Sequence, residues 1–269
     1  MREMQTRNYS QRSIDTYIHL LRELEEYFKC PIDEISSDQV KDFLQYSVTE
    51  RNLSVSYINQ VISAVRILQK DVLGKDWESI RIKRPRRIKK LPVVLSKEEI
   101  RSMIETTRNL KHRTILAVIY SAGLRISELI NLLPSDIDSD RRQIRVLGKG
   151  NKYRYTLLST NTLDMLRMYW RAYKPSKYLF EGQKNGQPVS LSTIRVIFRH
   201  ACKKAGINKQ ATVHSLRHSF ATHLLESGVN LKIIQSLLGH SSLRTTSIYL
   251  HVTRFEPSSV KSPFDEIVF

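Results

Sequence analysis

At 269 residues with 41% apolar side chains, the chain has enough sequence and apolar surface for two folded domains and is excluded from the disordered class. A formal net charge of +18 points to a polyanionic partner. Its two cysteines, Cys30 and Cys202, exclude a disulfide framework and fit no metal-ligand spacing.

The charge is uneven. Residues 1–80 hold 10 Lys/Arg against 13 Asp/Glu, net −3, whereas Arg81-Ile-Lys-Arg-Pro-Arg-Arg-Ile-Lys-Lys90 holds seven basic residues and no acid. The start Met1-Arg-Glu-Met-Gln-Thr-Arg lacks a signal-peptide core, and the apolar run Ile115 to Tyr120 is too short to span a bilayer. The expectation is a soluble cytoplasmic protein.

Helical periodicity dominates the first 80 residues. Ser10 can cap a helix with apolar positions at Ile14, Tyr17, Ile18, Leu21, Leu24 and Phe28. A second helix starts near Ser37 with Val40, Phe43 and Leu44 inward. A third starts near Ser54, carries Ile58, Val61, Ile62, Val65 and Leu68 on one stripe, and stops at Gly74. Its other face, Ser56, Asn59, Gln60, Ser63, Arg66 and Lys70, has no acid and reads either as a solvated face or as one turned to DNA. The basic run, with Pro85 inside and Pro92 after it, reads as an extended interdomain linker. Arg81, Lys83, Arg84, Arg86, Arg87, Lys89 and Lys90 make it a nucleic-acid contact.

Ser96-Lys-Glu-Glu99 is a capping-box pattern that opens the second domain. An apolar helix from about Arg113 to Ser121 breaks at Gly123 and resumes from Arg125 to Leu132, before Pro134. Gln143-Ile-Arg-Val-Leu147 and Tyr153-Arg-Tyr-Thr-Leu-Leu158 flank Gly148-Lys149-Gly150-Asn151, a hairpin signal. Helices follow near 160–173, 191–205, 214–227 and 230–238, with a last one around Thr245–His251. The helix with Thr193 places Arg195, Arg199 and Lys203 at i, i+4 and i+8, one basic stripe suited to duplex DNA.

Taken singly, the reactive residues have ordinary readings. Arg125 forms a helix ion pair with Glu128, or is an arginine aimed into a cleft and oriented by it. Lys149 is a solvated turn residue, or a general acid on a mobile loop. His240 follows a helix stop, and Tyr249 sits between apolar neighbours as a core tyrosine would. His214 and Arg217 at i and i+3 share a helix face, but that pair alone decides nothing.

Together, Gly123-Leu-Arg125-x-Ser-Glu128-Leu, Gly148-Lys149-Gly150, His214-x-Leu-Arg217-His218-x-Phe-Ala-Thr-His223, Leu-Gly-His240 and Thr246-x-x-Tyr249 resemble, in order and rough spacing, the motif boxes of the tyrosine recombinases, or phage integrases. The resemblance covers nearly the whole chain. The early start of the helices, by about residue 10, and the lack of an insertion in 159–213 place it with the compact, Xer-like branch.

That resemblance implies a mainly α fold of two domains forming a clamp round DNA. A SAM-like core-binding helical bundle at 1–80 is followed by a basic linker at 81–92. An α-rich catalytic domain with a small antiparallel sheet takes 93–255, and a tail at 256–269 is either frayed or docked on a neighbouring protomer. It implies Tyr249 as nucleophile forming a 3′-phosphotyrosyl link, with Arg125, Arg217 and His240 on the phosphate. Lys149 is the implied acid for the 5′ oxygen, His214 assists the proton or holds the phosphate, and Glu128 supports Arg125. His218 is set aside as a packing residue. Neither metal, ATP nor another cofactor is implied. The implied partner is double-stranded DNA with a specific site, bound by a homotetramer on paired sites, with a second recombinase as an open option. Element mobility and chromosome-dimer resolution stay indistinguishable. A type IB topoisomerase and a catalytically silent DNA-binding protein remain the competing readings.

Overall fold

The computed structural model describes residues 2–75, 82–85, 91–148, 152–184 and 186–253. Contacts divide the chain into two units, Met1–Lys89 and Lys90–Phe269.

The first unit holds α1 (Arg2–Thr6), α2 (Gln11–Phe28), α3 (Ser37–Thr49) and α4 (Val55–Arg66). Each of the last three begins where a serine oxygen can take an orphan N–H: Ser10 accepts from Ser13, Ser36 from Gln39 and Ser54 from Tyr57. Gln39 returns the bond to Ser36, completing a capping box. The apolar stripes meet in one core that includes Leu20, Leu24, Val40, Phe43, Ile58, Val61, Ile62 and Val65. Beyond α4 the helix continues as a π turn, Ile67–Val72, and ends ahead of Gly74 (φ +65°), the stop expected there.

The polar face of α4 differs from the open face expected. Arg84 folds back on it, donating to Asn59 Oδ1 at 3.2 Å and to Ser63 Oγ at 3.0 Å. Asn59 is consequently buried, and Ser56, Gln60, Arg66 and Lys70 stay exposed. A guanidinium from the following segment had partners to offer those polar groups that helix periodicity does not reveal.

The second unit runs α5 (Lys97–Thr106), α6 (Leu110–Ala122), α7 (Ile126–Ile130), β1 (Ile137–Asp138), β2 (Gln143–Leu147), β3 (Tyr153–Leu157), α8 (Thr160–Tyr173), α9 (Leu191–Lys204), α10 (Val213–Glu226), α11 (Leu231–Leu238) and α12 (Leu243–Thr246). Helix α6 is apolar nearly all round, the pattern of a central helix, and Ile115 through Ile119 are buried with Ala122. The expected hairpin forms, with Arg145 opposite Tyr155 and Leu147 opposite Tyr153. β1 adds an unforeseen third antiparallel strand at the edge, in the order β1-β2-β3. The main core joins α5, α6, the sheet and α8–α10. A satellite cluster gathers Phe220, Ala221, Ile234, Leu238 and Tyr249. Among the described residues no helix is long and apolar enough to cross a membrane.

Candidate active site

Two helix ends define the floor of the site. α6 stops at Gly123 (φ +60°) and α11 at Gly239 (φ +63°), both left-handed caps. A Cβ on Gly123 would stand 2.4 Å from Phe220 Cδ1, so only glycine fits there.

Arg217, on α10, lies between these two ends with no exposed surface. Its Nη1 donates to the carbonyl of Gly123 at 2.7 Å and its Nη2 to that of Leu238 at 2.6 Å. A cation at two helix C-termini meets the negative ends of both dipoles. Its Nε–H has no acceptor among the described residues. Burial lowers its pKa to about 10, Arg125 adds repulsion, and Glu128 opposes both. Arg217 thus braces the fold as well as carrying charge into the site.

Glu128 is the anion that makes this cationic cluster tolerable. At the third position of α7 it reaches back to the N–H of Arg125 at 2.7 Å and accepts from Arg125 Nη1 at 2.7 Å. Arg125 and Glu128 are therefore joined through both backbone and side chain. Arg154 on β3 adds a two-pronged contact, Nη1 to Oε1 and Nη2 to Oε2, each at 2.9 Å. Arg217 Nη1 lies 3.6 Å from Oε2. Burial of Glu128 would raise its pKa, but the hydrogen bonds and charge of Arg154, with Arg125 and Arg217 behind them, hold it below the usual carboxylate value. Arg125 keeps 35% of its side chain exposed and spends one side-chain bond on Glu128. Its other donors remain for a ligand.

Tyr249 sits in a 3₁₀ turn, Ser247–His251, directly after α12, and is 1% exposed. Its hydroxyl lies 3.2 Å from His218 Nδ1. The sequence left His214 either to assist the phenolic proton or to hold the phosphate and set His218 aside as packing; the hydroxyl contact belongs to His218. The reason is helical geometry: His218 is one turn further along α10, and His214 stands edge-on to it at 4.5 Å between ring centroids. His240 is fixed by Nδ1 against Thr246 Oγ1 at 3.0 Å.

Burial raises the Tyr249 phenol, while Arg217 and Arg125 pull it back down. Burial likewise lowers His218 to about 4, helped by His214 and Arg217, and His240 to about 4, helped by Arg217 and Arg125. Crowding by surrounding protein, then Arg217 and Arg125, lowers His214 too, although the residue is exposed at the rim. These imidazoles are neutral near pH 7, so among the described residues the cationic charge of the site is carried by guanidinium. Arg125, His214, Arg217, His240 and Tyr249, scattered over 125 residues of sequence, share one electrostatic neighbourhood. Lys149 lies outside the described residues; the strands that lead to it are closed by Gly148 N–H donating to Lys152 O at 2.9 Å.

Residues 93–255 match the phage integrase family, and residues 1–79 match the N-terminal SAM-like domain of phage integrases. The chain belongs to the phage integrase family. Among its relatives is a tyrosine recombinase of Thermosipho africanus, 35% identical over 259 residues, covering 91% of this chain and 90% of that protein. Tyrosine recombinase XerA of Pyrococcus horikoshii is 37% identical over 227 residues, covering 82% and 79% respectively. A crystal structure of the XerH site-specific recombinase bound to palindromic difH substrate, a post-cleavage complex, superimposes with a TM-score of 0.74 at 25% identity, over 94% of this chain and 80% of that one. The chain is a tyrosine-type site-specific recombinase of Xer-like kind.

Both units carry exposed cations among the residues singled out in the sequence. On α9, Arg195, Arg199 and Lys203 form the anticipated stripe and line a groove of about 740 Å³ that also includes Lys209 and His214. The groove therefore runs from the basic stripe to the rim of the site. On the first unit, Arg66, Lys70 and Lys83 are exposed, and Arg84 is engaged with α4. Arg81, Arg86, Arg87, Lys89 and Lys90 lie outside the described residues. Among the described residues no group of three or more His, Cys, Asp or Glu side chains is placed to hold a metal.

Proposed function

We propose that the recombinase cuts duplex DNA through Tyr249 and rejoins it to a different end. The observation that carries this reading is the Tyr249 hydroxyl, 3.2 Å from His218 Nδ1 in a pocket beside Arg217 and Arg125, whose charges offset part of the rise in pKa that burial imposes. A phenol is a weak nucleophile at its free pKa of about 10 and needs such surroundings to attack.

In the proposed step the phenolic oxygen loses its proton and bonds to phosphorus as the bond from phosphorus to the 5′ oxygen breaks. Lys149 protonates that 5′ oxygen, and His214 or His218 takes the phenolic proton. Arg125 binds the non-bridging oxygens with its unspent donors, where charge builds in the transition state. Arg217 supplies positive charge from beneath, and His240 adds a hydrogen bond. The 3′-phosphotyrosyl link conserves bond energy, so attack by another 5′-hydroxyl reverses the step without ATP.

The partner in this reading is double-stranded DNA with a specific site, met by the α9 stripe, the exposed cations of the first unit and the basic linker. The two units close on the duplex as a clamp, and four protomers act on paired sites in the cytoplasm, with the 256–269 tail docking on a neighbour. Supporting it are the basic groove reaching His214 and the DNA in the XerH complex, a relative in fold. Its biological use is mobility of an integrating element or resolution of chromosome dimers.

The test is capture of a covalent adduct from a library of nicked duplexes. The wild-type chain gives a protease-sensitive adduct on a defined sequence, and Tyr249→Phe gives none. Equal adduct from Tyr249→Phe, or none from wild type, overturns the reading; relaxation of plasmids that lack the captured sequence points to a topoisomerase instead.

A further inference from the structure

Arg154 has no place in any motif of the sequence, yet it ties together three parts of the site. Its side chain is 10% exposed. Its two terminal nitrogens hold both oxygens of Glu128, and its Nε donates to the carbonyl of Leu237 at 2.8 Å. Its Cδ packs on the next turn so closely that a Cβ at Gly239 would stand 2.7 Å away. One planar fork therefore joins β3 to the carboxylate under Arg125 and to the turn that presents His240. A lysine, a point donor on a flexible stem, has no equivalent reach in two directions.

Glu128 is a buried anion held by hydrogen bonds from Arg125 and Arg154, with Arg217 a more distant ion pair at 3.6 Å. Without Arg154, turning the Arg125 side chain toward a phosphate would leave the carboxylate with no side-chain hydrogen bond and only Arg217 at 3.6 Å, which is costly for a buried charge. Arg154 removes that conflict by keeping both oxygens occupied. We propose that Arg154 is a positioning residue, setting Arg125 and His240 against the same phosphate by holding Glu128 and the Leu237 carbonyl. The inference rests on the roles given above to Arg125 and Tyr249.

The test uses the full chain and the nicked duplex that wild type cleaves, under single turnover with saturating protein. Arg154→Met slows adduct formation about 100-fold, while affinity for the duplex changes less than about threefold. Arg154→Lys, which keeps the charge but loses the fork, slows it about tenfold. Because part of its effect runs through Arg125, adding Arg154→Met to Arg125→Ala costs well under a further ~100-fold, the His240 share alone remaining. A merely structural role would multiply the two losses and weaken binding in parallel. Should Arg154→Met melt below the assay temperature, Arg154→Lys carries the same comparison.

Wild-type rates in Arg154→Met, or fully multiplied losses with Arg125→Ala, overturn the inference. Those results leave the recombination reading intact provided wild type forms its Tyr249-dependent adduct. Absence of that adduct in wild type is the separate failure of the parent reading.

Discussion

The hydroxyl of Tyr249 stands 3.2 Å from Nδ1 of His218. In either neutral tautomer of His218 one partner donates and the other accepts, which fixes the hydroxyl of a buried ring. Removing one partner strands the other. His218→Phe should cost about 1–3 kcal/mol of stability, whereas adding it to Tyr249→Phe should cost much less, because both polar groups are then gone. Urea unfolding of the four proteins measures this. Additive losses would mean that the contact is not formed in solution.

Acid should destabilise the fold through the same histidines. Burial, aided by nearby cations, lowers His218 and His240 to about 4. In the unfolded chain a histidine titrates near about 6.5. Between those values the unfolded chain binds protons that the folded chain refuses, so stability is full above pH 6.5 and declines as pH falls towards 4. The urea midpoint should drop over that window, and the combined variant His218→Gln and His240→Asn should flatten the drop. An unchanged midpoint from about pH 7.5 to about pH 4.5 would contradict neutral burial of these rings.

Much of the fold was legible before any coordinates. Serine caps at Ser10, Ser54 and Ser96, the glycine-tipped hairpin and the apolar stripe of α4 are local signals, and local hydrogen bonds and packing obey them. The partnership of Arg125 with Glu128 was legible for the same reason, at a separation of three residues. Arg154 was not. Within Tyr153-Arg-Tyr155 it looks like any polar residue on an alternating strand, and its partners Glu128 and Leu237 lie 26 and 83 residues away. The burial of Arg217 was hidden too, because its acceptors are backbone carbonyls, which leave no trace in side-chain identity. Likewise, helical spacing puts His214 and His218 on one face, but only the position of the following turns decides which of them meets Tyr249.

Two glycines separate backbone strain from side-chain crowding. Gly228 (φ +80°) has open space where a Cβ would go, whereas at Gly239 (φ +63°) Arg154 Cδ occupies it at 2.7 Å. Gly228→Ala should cost about 1–2 kcal/mol, the left-handed penalty alone. Gly239→Ala should cost about 1 kcal/mol more, since Arg154 must move. Thermal or urea unfolding reads the difference; equal costs would show that Arg154 is not packed on that turn.

Binding should be strongly salt-dependent if the α9 stripe lies along phosphates. Arg195→Ala, Arg199→Ala and Lys203→Ala should each lower the slope of log K against log salt by about 0.9, one phosphate apiece. The bases preferred at the site should hardly change if these residues touch only the backbone. Fluorescence anisotropy across a salt series measures the slopes. A slope unaltered by all three substitutions would move the DNA off this helix.

The most direct measurement is to digest the covalent adduct and sequence the nucleotide-bearing peptide by tandem mass spectrometry. The account predicts a single modified residue, Tyr249, joined to a 3′-phosphate, with a free 5′-hydroxyl on the released strand. A nucleotide on any other residue, or a link through a 5′-phosphate, would contradict it.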